Sequence, residues 1–187
     1  LHYFGPGEYP YKSILKETTC ESVPYVLKNL GYSTHAVHNN EANFYGRRSV
    51  FPNLGFDTFT SEEYMENENL QNPLGWVKDS ILTDEILKCL DSTEEPDYVY
   101  TISTQGHGAY PEEQLIDDPE ITVTGAATEA QNNQWEYYCN EIHEMDNFVK
   151  ELTDALADYP EDVILVMYGD HLPTMGLTVE DLKNKYL

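Results

Sequence analysis

The chain has 187 residues, a length that suits one domain, and 40% of them are apolar, enough for a core. Lys and Arg total 10 against 34 Asp and Glu, a formal net charge of −24, which argues against nucleic acid as a partner because duplex binding relies on basic side chains to displace counterions. An anionic substrate would meet general repulsion, so its site must carry local Arg, His or metal charge.

Cys20, Cys89 and Cys139 are odd in number and widely spaced. No CxxC spacing occurs, so a zinc ribbon is out, and buried free thiols are the expected state. No apolar run approaches the ~18 residues that a membrane span needs. The chain opens on Leu1-His2-Tyr3-Phe4, without a basic leader or an initiator Met, which suggests a piece of a longer protein.

Gly5-Pro6-Gly7 and Pro10 mark an opening loop. Thr19 to Leu30 reads as a helix with Val23, Val26, Leu27 and Leu30 on one face, and Pro24 in its first turn puts its start near Glu21 or Ser22. Tyr32 to His38 reads as a strand that ends in the polar cluster His38-Asn39-Asn40-Glu41. A short helix over Asn43 to Phe51 would carry Tyr45, Arg47 and Arg48. The bland reading of the two arginines is a pair of surface charges, with Arg47 on Glu41 or another carboxylate. Leu54 to Phe59 is a turn and a short extended piece, and Ser61 to Asn72 is loop or short helix. A helix capped near Thr83-Asp84 runs to about Leu90.

Asp97 to Ser103 is a strand, and Thr104-Gln-Gly-His-Gly-Ala-Tyr-Pro111 comes directly after it. His107 stands there between two glycines, which let backbone approach a ligand closely; the plain alternative is a turn that contains a His. Glu112 to Thr124 is an acidic excursion. The longest helix, about Ala126 to Ala157, carries the stripe Trp135, Tyr138, Ile142, Met145, Val149, Leu152 and Leu156, which is a core face. His143 lies beside that stripe as a boundary residue. Val163-Ile-Leu-Val-Met-Tyr168 reads as a fully buried strand of a parallel sheet, and Gly169-Asp170-His171 comes at once after it. Thr178 is placed to cap a final polar helix.

Helices alternating with strands give an α/β fold with a mainly parallel central sheet flanked by helices. Successive carboxyl ends then share one edge, so His38, His107 and Asp170-His171 are expected to converge there. A carboxylate and an imidazole side by side suit a divalent cation such as Zn²⁺ or Mn²⁺. The competing reading of Asp170 is a polar turn residue that caps the next segment.

His38, Phe44-Tyr45-Gly46-Arg47, Leu54-Gly-Phe-Asp-Thr-Phe59, Ser103-Thr-Gln-Gly-His107-Gly-Ala-Tyr-Pro111 and Tyr168-Gly-Asp170-His171 occur in an order and spacing that resemble the extracellular catalytic domain of lipoteichoic acid synthases. These are phosphoglycerol transferases with the alkaline phosphatase/sulfatase fold. The resemblance covers almost the whole chain and implies that residues 1–187 are the middle of such a domain, incomplete at both ends. It implies metal ligation by Asp170 and His171, with Mn²⁺ first and Mg²⁺ or Zn²⁺ next. It implies substrate contacts from His38, Tyr45, Arg47 and His107. The family's nucleophilic Thr is expected before Leu1, so no catalytic nucleophile is assigned within the chain. Two departures are Tyr45, where the family commonly has Trp, and Asn40, where some members have Asp.

The implied donor is the anionic head group of a phosphatidylglycerol-like lipid, and the implied acceptor is a cell-envelope glycerophosphate polymer. The implied location is the extracellular face of the cell membrane, with membrane contact made outside these residues. The alternatives are a sulfatase or phosphodiesterase hydrolase of the same fold and a non-catalytic extracellular module. The Cys/Ser-x-Pro-x-Arg motif of sulfatases does not occur in the chain.

Overall fold

The computed structural model describes residues 5–173, 175, 179, 180 and 183. The helix expected from Thr178 begins outside the described residues. The chain divides into two compact units, Leu1–Thr104 and Gln105–Leu187.

The first unit is built on a three-stranded parallel sheet. Its strands are β1 (Ser33–His38), β2 (Thr58–Ser61) and β3 (Asp97–Ile102), in the order β2-β1-β3. Helix α1 (Val23–Lys28) precedes β1, α2 (Arg47–Asn53) joins β1 to β2, and α3 (Ile81–Leu90) joins β2 to β3. The two crossovers run in opposite directions across the sheet. Right-handed connections then put α2 and α3 on opposite faces.

The side chains agree with that placement. Successive strand residues point to alternate faces, and Ala36, Tyr98, Tyr100 and Ile102 pack with Phe51 of α2 and with Phe56 and Phe59. Phe51 is fully buried and meets Phe59 edge-on at 4.7 Å and Phe56 at 5.3 Å. His38 has the same parity as Ala36, so it emerges on the face that α2 covers. This parity is why a residue ending β1 meets the residue that starts α2.

Helix α1 departs from its expected orientation. Ser22 caps it through the Tyr25 amide, as a helix start near Ser22 predicts, but Val23, Val26 and Leu30 are exposed and Pro24 is buried. The Ser22 hydroxyl donates to the Leu54 carbonyl, and Tyr25 packs so tightly on Gly55 that a Cβ there would lie 2.9 Å from its ring. Those anchors turn the apolar stripe outward. Cys89 is buried, whereas Cys20 is exposed.

The second unit holds α4 (Glu129–Ala157), capped by Thr128 through the Gln131 amide. The expected apolar stripe is only partly buried. The most buried residues of α4 include Glu136, Asn140 and Glu141 beside Tyr137, Phe148 and Leu152. Glu136 and Asn140 serve the acidic excursion: Glu136 accepts from Gln114 at 2.7 Å and from the Val123 amide at 3.1 Å, and Asn140 accepts from the Ile121 amide and donates to its carbonyl. Polar groups buried for this purpose are satisfied, so they replace part of the apolar seam. His143 is a boundary residue as expected, 3.0 Å from Glu120.

The expected strand at Val163–Tyr168 is not one. The run is irregular, and Ile164 is 92% exposed and Val166 76%. Gln105–Leu187 has no strand among its described residues, so its own unit offers the run no ladder to join. Asp170 and His171 therefore do not end a strand of the central sheet.

Candidate functional site

The polar residues at the end of β1 form the better built of two separate clusters. His38 is 1% exposed, and its Nδ1–H donates to the Ile102 carbonyl at 3.0 Å. A carbonyl can only accept, so Nδ1 carries the proton and Nε2 offers a lone pair. Arg47 Nη1 donates to that lone pair at 3.0 Å. Burial pushes the His38 pKa down to about 4; the Ile102 carbonyl works the other way, and the nearby Arg47 charge adds to the lowering. His38 is thus neutral near pH 7, and its contact with Arg47 does not cancel the guanidinium charge.

Arg47 is 8% exposed, so it is no surface charge. A second hydrogen bond reaches the Phe44 carbonyl at 3.4 Å, and the rings of Phe44 and Tyr45 lie 5.4 and 5.5 Å from its guanidinium carbon. The expected single helix over Asn43 to Phe51 is instead a 3₁₀ turn, Phe44–Gly46, that leads into α2. The break comes from two successive left-handed residues, Tyr45 (φ 54°) and Gly46 (φ 72°). Gly adopts that conformation freely, whereas Tyr is strained in it. The turn leaves Tyr45 38% exposed while Arg47 goes inward.

A further residue supports this pair, one with little signal in the sequence. Asp79 is fully buried, and its Oδ1 accepts from Asn39 Nδ2 at 2.8 Å and from the Thr104 amide at 3.2 Å. Asn39 Nδ2 also reaches the Val77 carbonyl at 2.8 Å. One carboxylate therefore ties the residue after His38 to the chain leaving β3. Its only mark in the sequence is an acid between Val77 and the apolar start of α3, and such an acid is more often a cap. Asn40 accepts from the Glu41 amide at 2.7 Å, and its buried Nδ2 has no hydrogen-bond partner among the described residues.

The remaining expected site residues lie in the second unit. The rings of His107 and His171 meet edge-on at 5.8 Å, and His171 Nε2 is 3.7 Å from Asp170 Oδ1. His107 and His171 each direct Nδ1 at the carbonyl of the next residue, at 2.6 and 3.1 Å, so in the neutral ring Nδ1 carries the proton and Nε2 the lone pair. The donor chemistry of this trio suits a divalent cation. Among the described residues, however, no three His, Cys, Asp or Glu side chains converge as a metal site, so the set is incomplete. The structure brings His38, Tyr45 and Arg47 together, and separately His107, Asp170 and His171.

A parallel sheet with helices on both faces and polar residues beyond its carboxyl ends is an α/β fold of the alkaline phosphatase/sulfatase type, as solved structures that share the fold bear out. Within it the chain belongs to the sulfatase family, whose model, described as Sulfatase, matches residues 2–186. A Rhizobium meliloti (strain 1021) protein named for cyclic beta-1,2-glucan modification is 30% identical over 91% of this chain and 26% of its own length. Lipoteichoic acid synthase 2 of Bacillus subtilis (strain 168) is 28% identical over 83% of this chain and 23% of its own. Among solved structures, Streptococcus pyogenes phosphoglycerol transferase GacH in complex with sn-glycerol-1-phosphate is 28% identical, with a TM-score of 0.66 over 83% of this chain and 40% of that one. The chain spans about a quarter of the length of the curated relatives it matches. Among the described residues, no helix is long and apolar enough to cross a membrane.

Proposed function

We propose that the protein containing this chain transfers phosphoglycerol from a phosphatidylglycerol-like lipid to a cell-envelope polymer at the extracellular face of the membrane, and that residues 1–187 are part of its catalytic domain. The observation that carries this reading is Arg47, a buried guanidinium held by a neutral histidine. A chain of net charge −24 repels phosphate, so short-range donors must overcome that field. The similarity to the GacH structure and to lipoteichoic acid synthase 2 supports phosphoglycerol as the group handled.

In this reading a Thr supplied from outside these residues attacks the donor phosphorus through its Oγ, and the diacylglycerol oxygen leaves. An acceptor hydroxyl then displaces that Thr from phosphorus, restoring the Thr hydroxyl. Arg47 grips two phosphate oxygens with its planar fork, and Tyr45 packs on the glycerol carbons. His38 holds Arg47 in place, and His107 contacts the phosphate. Asp170 and His171 would hold a divalent metal, Mn²⁺ before Mg²⁺ or Zn²⁺. Such a metal supplies stabilisation of the attacking oxygen and of the developing negative charge.

The test is Arg47→Lys in the full-length protein. Lys keeps the charge but not the fork. Turnover of a glycerophosphodiester lipid is expected to fall by about 10²-fold, the scale of losing one transition-state donor, with the melting temperature little changed. Unchanged turnover, or a loss that only tracks a lower melting temperature, would remove Arg47 from the site.

A further inference from the structure

The sheet face opposite His38 carries a second ordered set of polar groups. Strand residues alternate in side, so His35 points away from Ala36 and His38. In the parallel register His35 lies between Thr58 of β2 and Val99 of β3, and Asp97 has the parity of Val99. Thr58, His35 and Asp97 thus share the face that α3 covers. His35 Nδ1 is 2.7 Å from Thr58 Oγ1, and its Nε2 is 2.9 Å from Asp97 Oδ1. That carboxylate oxygen also accepts from the Thr93 hydroxyl at 3.0 Å. The His35 and Asp97 side chains are buried, whereas Thr58 is exposed.

An ionised carboxylate only accepts, so in a ring with one proton that proton sits on Nε2, and Nδ1 offers its lone pair to the Thr58 hydroxyl. This order of groups makes a hydroxyl nucleophilic: the imidazole takes its proton, and the carboxylate fixes the tautomer and steadies the imidazolium that forms. A polar tie between strands needs no charge, and burying the Asp97 carboxylate is costly. Thr58 and His35 also line an open groove of about 450 Å³, with Tyr64, Glu85, Lys88 and Cys89, a volume that suits a small molecule. Lys88 uses one of its three N–H donors on Glu85, at 2.6 Å, which leaves donors to face a developing oxyanion. Cys89 is no rival nucleophile, because burial pushes its thiol up to about 11 and keeps it protonated. Glu85 counters the Lys88 charge in a chain of net charge −24, so the groove favours an uncharged ligand.

We infer that Thr58, His35 and Asp97 form a nucleophilic triad that hydrolyses a small uncharged carboxylic ester bound in this groove. The inference does not rest on the phosphoglycerol reading. Thr58 Oγ1 attacks the ester carbonyl carbon while its proton passes to His35 Nδ1. The bond from that carbon to the alkoxy oxygen then breaks, and the alcohol leaves with the proton from Nδ1. Water attacks the acyl-Thr58 ester by the same route: it gives a proton to Nδ1, the carboxylic acid departs, and Thr58 Oγ1 recovers the proton. The two ring nitrogens are equivalent bases for this purpose, so it is the Asp97 contact that decides which one serves.

The test uses p-nitrophenyl acetate and the full-length protein. Wild type is expected to release p-nitrophenolate above the buffer rate, and acid quenching followed by peptide mass spectrometry should find an acetyl group on Thr58. Thr58→Val keeps the β-branched shape on the strand but loses the hydroxyl, and it should lower release by about 10²-fold or more. Asp97→Asn, which removes the partner that sets the tautomer, should lower it as well. Turnover of a glycerophosphodiester lipid should be unchanged in Thr58→Val, so failure of the esterase test leaves the phosphoglycerol reading standing. Wild-type protein with no release above buffer overturns the triad. So does a Thr58→Val variant that keeps the wild-type rate, or an acetyl group found only on another residue. If Thr58→Val lowers the melting temperature, Thr58→Ser decides: it keeps the hydroxyl, so losing release there would sink the proposal.

Discussion

Two stretches of this chain met opposite fates. Ser33–His38, four of whose six side chains carry a hydroxyl or an imidazole, is the central strand, and Ala36 and Val37 are fully buried. Val163–Tyr168, whose one polar group is the Tyr168 hydroxyl, is exposed, with Ile164 at 92%. Hydropathy ranks them the other way round. What separates them is neighbours. β1 is flanked by β2 and β3 in register and covered by α2 and α3, so its backbone groups and both faces are satisfied. The 163–168 run has no strand among the described residues of its own unit, so its backbone joins no ladder and each exposed apolar side chain forgoes about 1.5–3 kcal/mol of burial. The two candidate clusters inherit this contrast: His38 and Arg47 are buried and hydrogen-bonded, while His107, Asp170 and His171 are exposed.

The contrast is sharpest between two aspartates. Asp79→Ala should destabilise the protein by about 3 kcal/mol, since it strands one N–H of the buried Asn39 side chain and the Thr104 N–H. Asp170→Ala should stay within about 0.5 kcal/mol, as exposed substitutions do. Chemical denaturation of both variants checks this, and equal costs would mean that the second cluster is as firmly packed as the first.

His38 gives a pH test of nearly the same size. Its folded pKa, about 4, lies below the ordinary 6.5, so the neutral form is the one the fold prefers. Its contribution is fully present above about pH 6.5 and is lost as pH falls towards 4, in all about 3 kcal/mol. Unfolding of the wild-type protein and of His38→Asn across that window should show the acid loss only where the imidazole is present. A wild-type curve with no slope there would place His38 in a wetter setting. The smallest expected effect compares the two stretches directly. Val37→Ala should cost about 2 kcal/mol by leaving a cavity, whereas Ile164→Ala should change stability by less than about 0.5 kcal/mol. A large cost at Ile164 would show that the run finds cover after all.

Local chemistry made much of this legible in the sequence. The period of the apolar residues, with Gly and Pro as stops, located β1, β3, α3 and α4 to within a few residues. The His38 and Tyr45-Gly46-Arg47 elements also showed where anion chemistry would be sought, because those residue types carry their chemistry with them. Three things were decided only in three dimensions. Strand parity and the crossover direction turned His38 and Arg47 towards each other, and neither has a one-dimensional signature. Asp79 reads as a cap until two distant chain segments are seen donating to it. The exposure of Val163–Tyr168 could not be read at all, because an apolar run encodes a demand for burial, while the neighbouring strands that would meet that demand belong to the tertiary structure.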